Sequence, residues 1–293
     1  MKHIKTVLLL GLLSGLLIAI STLLFGGTYG SIIGLGMAAV MNFSSWFFSD
    51  KIALSAYNAQ PVGPETAPGV YRIVQRLSQR ANLPMPQVYV VPSNGLNAFA
   101  TGRDPAHAAV AVTEGLVRFL PEDELEGVIA HELTHIANRD TLTQAVAATV
   151  GGAIAYLGQM ASYSMFFFGG SRNENNGPNP IGLLVTIFVA PLAATIIQLG
   201  ISRTREFAAD EGAARLTGNP QALARALQRL ESSAAQQPLE ASPAFAPLLI
   251  INPLPRNLLR SLFSTHPATE DRVQRLLALD HQLGSSRSRF VRG

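Results

Sequence analysis

The feature that most limits what this chain can become is the spacing of its charges. None falls between Lys5 and Asp50, none between Asp140 and Arg172, and none between Glu174 and Arg203. Only 14% of the 293 residues are charged and 48% are hydrophobic, against about 25% charged in an ordinary soluble domain. A helix needs about 20 mostly apolar residues to cross the hydrocarbon of a bilayer. The first gap holds two such spans, 6–25 and 28–48, parted by the turn-forming Gly26-Gly27. The second and third gaps hold one each, 145–168 and 180–201. Four transmembrane helices are expected, with a buried soluble hairpin as the alternative for 145–201. No A-x-A site follows the first leucine-rich run, so it reads as a retained anchor rather than a cleaved signal.

Basic residues in short flanking segments collect on the cytoplasmic side of a membrane. Lys2 and Lys5 precede the first span, Lys51 follows the second, Arg139 precedes the third, and Arg203 and Arg205 follow the fourth. All fall on one side, so both termini and everything between spans two and three are expected in the cytoplasm. The chain then divides into 1–50 (two spans), 51–143 (first part of a cytoplasmic domain), 144–202 (a transmembrane hairpin) and 203–293 (second part of that domain). Cysteine is absent, which excludes disulfides and thiolate metal sites. The net charge of +3 is small, and the basic tail "SSRSRFVRG" suits lipid headgroups or solvent; no nucleic-acid partner is expected.

Outside the spans the pattern is α+β and mainly helical. Residues 70–81 place apolar side chains at helical spacing after a Pro/Gly-rich linker at 60–69. Short extended runs at 87–91, 96–102 and 108–116, separated by turn residues, predict a small sheet. Pro121 and the acids Glu122, Asp123 and Glu124 open a helix. Residues 203–216 form another, Asn219-Pro220 caps a third, 237–256 is irregular, and a last helix begins near His266.

The helix after Pro121 carries "VIAHELTHIANRD", residues 128–140. Residues four apart share one helical face, so His131 and His135 can hold one metal ion, with Glu132 beside them as a proton acceptor. This is the logic of the His-Glu-x-x-His pattern in zinc hydrolases. The bland alternative is a helix with surface histidines. Against it, the neighbours Val128, Ile129, Ala130, Leu133, Ile136 and Ala137 are apolar, and buried imidazoles need partners. His3, His107 and His281 read as surface residues.

A catalytic zinc needs a third protein ligand and an open position. The hairpin returns the chain to the same side of the membrane near "SRTREFAADEGA" (202–213), where Glu206 and Asp210 lie four apart. Glu206 is assigned as the ligand and Asp210 as the acceptor of a histidine's second ring N–H. Glu174, across the membrane, is excluded. His135 precedes its span by about 15 Å of helix, if the helix continues, and Glu206 follows its own by about 7.5 Å. Both distances put one zinc ion per chain near the cytoplasmic bilayer surface.

Taken together, "HELTHIANRD", "SRTREFAADEGA", "NAFATG" and "THPATEDR" resemble the HtpX-type membrane metalloproteases, relatives of the zinc CAAX prenyl proteases. The likeness covers most of the chain, with four motifs in order. It implies a zincin-like catalytic domain, His131, His135 and Glu206 as zinc ligands, Glu132 as the base, and cleavage of damaged or misfolded membrane proteins in a bacterial inner membrane. Asn97, Ala98 and Phe99 would sit on an edge strand able to pair with an extended substrate; an ordinary buried strand is the alternative. His266 is a candidate hydrogen-bond donor to the developing oxyanion, or else a capping or surface residue. Arg203 and Arg272 are candidates for holding Glu206, Asp210 or a substrate carboxylate, with structural ion pairs as the alternative. The rivals to an endopeptidase are a processing protease for lipid-modified C-termini and a membrane scaffold with structural zinc.

Overall fold

A computed structural model of the chain describes residues 4–25, 27–149, 203–236, 248–250 and 267–290. Helix α1 (Ile4–Phe25) and helix α2 (Gly27–Phe47) form an antiparallel pair. Small residues on α2 (Gly30, Gly34, Ala38 and Ser45) are buried against α1, and a Cβ on Gly34 would fall 2.6 Å from Cα of Ile18. Such small-residue seams let helices approach closely in an apolar medium. Asn42 Nδ2 donates to Ser14 Oγ at 2.8 Å across the seam. Among the described residues α2 is the helix long and apolar enough to cross a membrane. The expected spans at 145–168 and 180–201 lie outside the described residues from 150 onward, as do His3 and His266.

Helix α3 (Ser49–Ala56) leads into a four-stranded mixed sheet of β1 (Gln60–Pro61), β2 (Gln87–Val91), β3 (Ala98–Gly102) and β4 (Ala108–Thr113), ordered β1-β2-β4-β3. Helix α4 (Pro68–Arg80) lies between β1 and β2 in sequence, so the linker at 60–69 in fact holds one short strand, β1, and a helix start. β2 and β4 run parallel, while β3 is antiparallel to β4 and forms the edge. Every side chain of central β4 is buried, which is why its sequence lacks an apolar–polar alternation.

The expected strand at 108–116 ends early, at Thr113, and Glu114–Phe119 is helix α5. Thr113 Oγ1 accepts the Leu116 amide at 3.2 Å, an N-cap that turns the chain out of the sheet.

Helix α6 (Glu122–Asn138) crosses the sheet beside β3. Leu125, Val128, Ile129, Leu133 and Ile136 are buried with Val70, Ile73, Leu77, Val110 and Val112 in one core, each such side chain contributing about 1.5–3 kcal/mol by burial. The opposite sheet face carries Phe99, Ala109 and Ala111 against Tyr57, Leu248 and Leu249.

At Arg139 the backbone turns left-handed (φ 60°), and a new helix, α7, starts at 140 and is described to 149. The expectation of one helix running on from His135 therefore fails, because the αL residue breaks the α6 axis. Helix α8 (Arg203–Thr217) packs along α6, α9 (Pro220–Gln236) follows with Asn219 Oδ1 accepting the Ala222 amide at 3.2 Å, and α10 (Thr269–Phe290) packs on α9. The last helix thus starts at Thr269, three residues after the expected place.

Candidate metal centre

α6 presents His131 and His135 toward α8, and α8 presents Glu206 and Asp210 back. The two helices can approach because α8 is lined with small residues here: Ala209 and Ala213 are fully buried, and a Cβ on Gly212 would fall inside van der Waals contact of Thr134 Cγ2. His131, His135 and Glu206 offer ligand atoms all within 4.8 Å of one another, and all three are buried.

The histidine tautomers follow from their other nitrogens. His131 Nδ1 lies 3.0 Å from Asp210 Oδ1, and His135 Nδ1 lies 3.3 Å from Asp140 Oδ2. A carboxylate accepts, so each Nδ1 carries the proton and each Nε2 presents a lone pair. The two Nε2 atoms stand 3.2 Å apart and face Glu206 at 3.7 and 3.6 Å. In a tetrahedral zinc site with bonds near 2.0–2.1 Å, ligand atoms stand about 3.3 Å apart, so these donors fit such an ion.

Glu132, next to His131 on α6, is buried beside the two imidazoles, and its carboxyl accepts the Ala100 amide at the sheet edge. Burial raises its pKa, against the pull of the two histidines.

Arg272, from the start of α10, anchors the far side. It is completely enclosed and forks onto Asp210, Nε to Oδ2 at 2.8 Å and Nη2 to Oδ1 at 2.7 Å. Its Nη1 donates to the Ile250 carbonyl at 3.2 Å and lies 3.9 Å from Glu206 Oε2. Burial would raise the Asp210 pKa, but the guanidinium holds it down to about 2. Burial likewise opposes charging His131, yet Asp210 and Glu206 together lift its pKa to about 9 before any cation competes.

Of the other expected residues, Arg203 begins α8, and His107 is exposed and paired with Asp104 at 2.8 Å. The edge strand is present, but its outward backbone groups differ from expectation. Asn97 accepts the Thr113 amide, so Asn97, Phe99 and Thr101 bond toward β4 by the antiparallel alternation. Phe99 is buried against Tyr57. Ala98, Ala100 and Gly102 face outward, and four of their groups are already engaged: Ala98 N–H by Asn97 Oδ1 at 3.0 Å, Ala98 C=O by the Ile250 amide at 3.1 Å, Ala100 N–H by Glu132, and Gly102 C=O by Thr141 Oγ1 at 2.9 Å.

Sequence reasoning missed Asp140, the partner of His135. The signal was a carboxylate five residues after the second histidine, obscured because five residues along a straight helix points away. Arg205 Nη1 lies 3.8 Å from Asp140 Oδ1 and supplies its opposing charge.

Two imidazoles from one helix and a carboxylate from a second, with a buried glutamate between the imidazole positions, define a metallopeptidase site of the His-Glu-x-x-His class. Residues 64–280 match peptidase family M48. A "Protease HtpX homolog" of Nostoc punctiforme is 69% identical over 282 residues, covering 96% of this chain and 98% of its own length. Proteins of the same name from Sulfurihydrogenibium sp. and Aquifex aeolicus are each 49% identical, over 96% and 92% of this chain and 97% and 91% of their own. Among solved structures, S. mikatae Ste24p aligns with a TM-score of 0.51 at 20% identity, over 94% of this chain and 65% of that one, a likeness of fold. The chain belongs to peptidase family M48, in its HtpX branch.

Proposed function

We propose that this protein is a membrane-bound zinc endopeptidase that hydrolyses peptide bonds of misfolded or damaged membrane proteins at the cytosolic face, as part of membrane-protein quality control under stress. The observation that carries the catalytic part is the arrangement of three buried donors at 3.2–3.7 Å with Glu132 beside them. The bilayer part is supported by α2, and the multi-pass, cytoplasm-facing topology by the one-sided distribution of basic residues.

His131, His135 and Glu206 would hold one zinc ion, an ion suited to two imidazoles and a carboxylate with a position left open. When bound, it lowers the pKa of a coordinated water to about 7 and polarises the scissile carbonyl. Asp210 and Asp140 keep both imidazoles in the tautomer that ligates. Glu132 takes the proton of the attacking water and returns it to the leaving amine. The Ala100 amide aims that carboxylate, and the raised pKa from burial strengthens it as a base. The substrate backbone pairs with the outward side of β3 at the Ala100 carbonyl and Gly102 amide, rather than at Asn97 and Phe99, whose backbone groups bond toward β4. His266 remains a proposed donor to the oxyanion, and Arg203 and Arg272 proposed supports of the acidic pair.

The test is cleavage of casein by metal-loaded, detergent-purified protein beside Glu132→Gln, with metal content measured in both. Cleavage by the wild type alone at equal zinc content supports the reading. Equal cleavage by both, or absence of bound metal in both, overturns it.

A further inference from the structure

At its C-terminal end α2 leaves Phe43, Trp46 and Phe47 exposed, and Phe48 follows, exposed as well. These rings are ordered among themselves. Phe43 and Phe47 stack with centroids 5.6 Å apart, and Phe48 meets Phe47 edge-on at 5.0 Å. Among the described residues, two cations reach them. Arg103, from the turn between β3 and β4, lays its guanidinium 4.8 Å from the Phe47 ring centroid and extends Nη1 to 3.4 Å from the Phe47 carbonyl. Lys51 Nζ stands 5.7 Å over the Phe48 ring.

The remainder of α2 explains what this end faces. Ile32, Leu35 and Val40 are each more than half exposed, and Tyr29 is 71% exposed at the helix's other end. From Tyr29 to Trp46 is about 26 Å of helix, close to the ~30 Å of bilayer hydrocarbon. Aliphatic side chains fill the middle and aromatic ones mark both ends, the distribution of a helix whose ends lie at headgroup level. Bulk water suits four exposed rings poorly, and hydrocarbon suits Lys51 and Arg103 poorly. The headgroup layer accommodates both, as it does amphipathic rings and snorkelling cations generally. Asp104 lies 3.8 Å from Arg103 and Asp50 precedes Lys51, so the local charge nearly cancels. The seat therefore suits phospholipid headgroups in general rather than anionic ones alone.

We infer that Phe43, Trp46, Phe47, Phe48, Lys51 and Arg103 form a phospholipid-headgroup seat that holds the β3–β4 turn on the bilayer surface. Arg103 directly follows Gly102, the last residue of β3, so the seat fixes the height of the edge strand beside the metal cluster. An extended segment leaving the bilayer would meet that edge first. The inference rests on the membrane-bound reading above but not on the chain cutting anything.

Trp46 is the only tryptophan and cysteine is absent, so two reporters are unambiguous. The full chain is reconstituted in vesicles of equal parts phosphatidylcholine and phosphatidylglycerol, and Trp46 fluorescence is quenched by phospholipids brominated at successive acyl depths. Strongest quenching by the shallowest bromines is expected. Strongest quenching by the deepest bromines, or none at any depth, overturns the seat. In the second arm Ala106→Cys, on the exposed β3–β4 turn, carries a nitroxide relaxed by nickel chelated to lipid headgroups. Relaxation in the parent protein and a several-fold loss in Arg103→Ala are expected. Equal relaxation in both, with Trp46 depth unchanged, overturns the role of Arg103. Neither readout involves proteolysis, so an inactive protein could still show the seat, and an active one could lack it.

Discussion

Asp210 Oδ1 stands 3.0 Å from Nδ1 of His131 and 2.7 Å from Nη2 of Arg272, so one buried carboxylate serves the metal centre and the last helix at once. Asp210→Asn keeps the volume and a carbonyl oxygen for His131 but leaves the guanidinium facing a neutral amide. Breaking a buried pair in this way costs about 3–5 kcal/mol, and losing a histidine's carboxylate partner costs about 10–100-fold in metal affinity. A thermal melt and a chelator-competition titration would read both; an unchanged melting temperature would contradict the linkage.

Asp140 offers a cleaner separation of the two effects. It sits at the open start of α7, 9% exposed, and its partner Arg205 is at 3.8 Å rather than in a bidentate clamp. Asp140→Ala should lower zinc affinity by about 10–100-fold while the melting temperature of the metal-free protein falls much less than for Asp210→Asn. Equal losses of stability in the two variants would contradict this division.

The close approach of α6 and α8 at Thr134 and Gly212 sets the distance from the histidine pair to Glu206. Gly212→Ala should push the helices apart, costing about 1–3 kcal/mol by overpacking, and weaken metal binding with no ligand touched. Adding Thr134→Ala removes the obstructing Cγ2 and should restore much of both losses. The coupling from a double-mutant cycle would be about 0.5–3 kcal/mol; purely additive effects would show that the contact does not set the spacing.

Metal removal should be reversible and visible in stability. Binding to the folded chain alone stabilises it by about 2.7 kcal/mol at a hundredfold excess over the dissociation constant. Chelation should therefore lower the melting temperature of wild type and Glu132→Gln equally, and added zinc should restore both. A response confined to the wild type would assign Glu132 a ligand's role.

Much of the local structure could be read from the sequence because it depends on neighbours. The four-residue spacing of His131 and His135, the strand at 87–91, the Asn219-Pro220 cap and the apolar face of α4 are short-range patterns, and each appears where the spacing predicts. The acidic opening of α6 was legible too, although its burial of Glu124 depends on Arg225 and Arg229 a hundred residues later, at 3.2 and 2.7 Å.

Tertiary structure alone decided what those patterns meet. Arg272 reaches Asp210 across 62 residues, and Ile250 occupies the Ala98 carbonyl across 152, distances over which no periodicity carries information. Residues 114–116 looked like strand and became the start of α5, where Gly115 lies so close to the Asn94 backbone that no Cβ fits. Asp140 could become the partner of His135 only once Arg139 took a left-handed conformation and swung the chain back. Chain-local propensities determine which face a residue occupies on its own element. The packing of one element against another determines which groups are left in a dry interior, and buried charges there must find partners wherever in the sequence these lie.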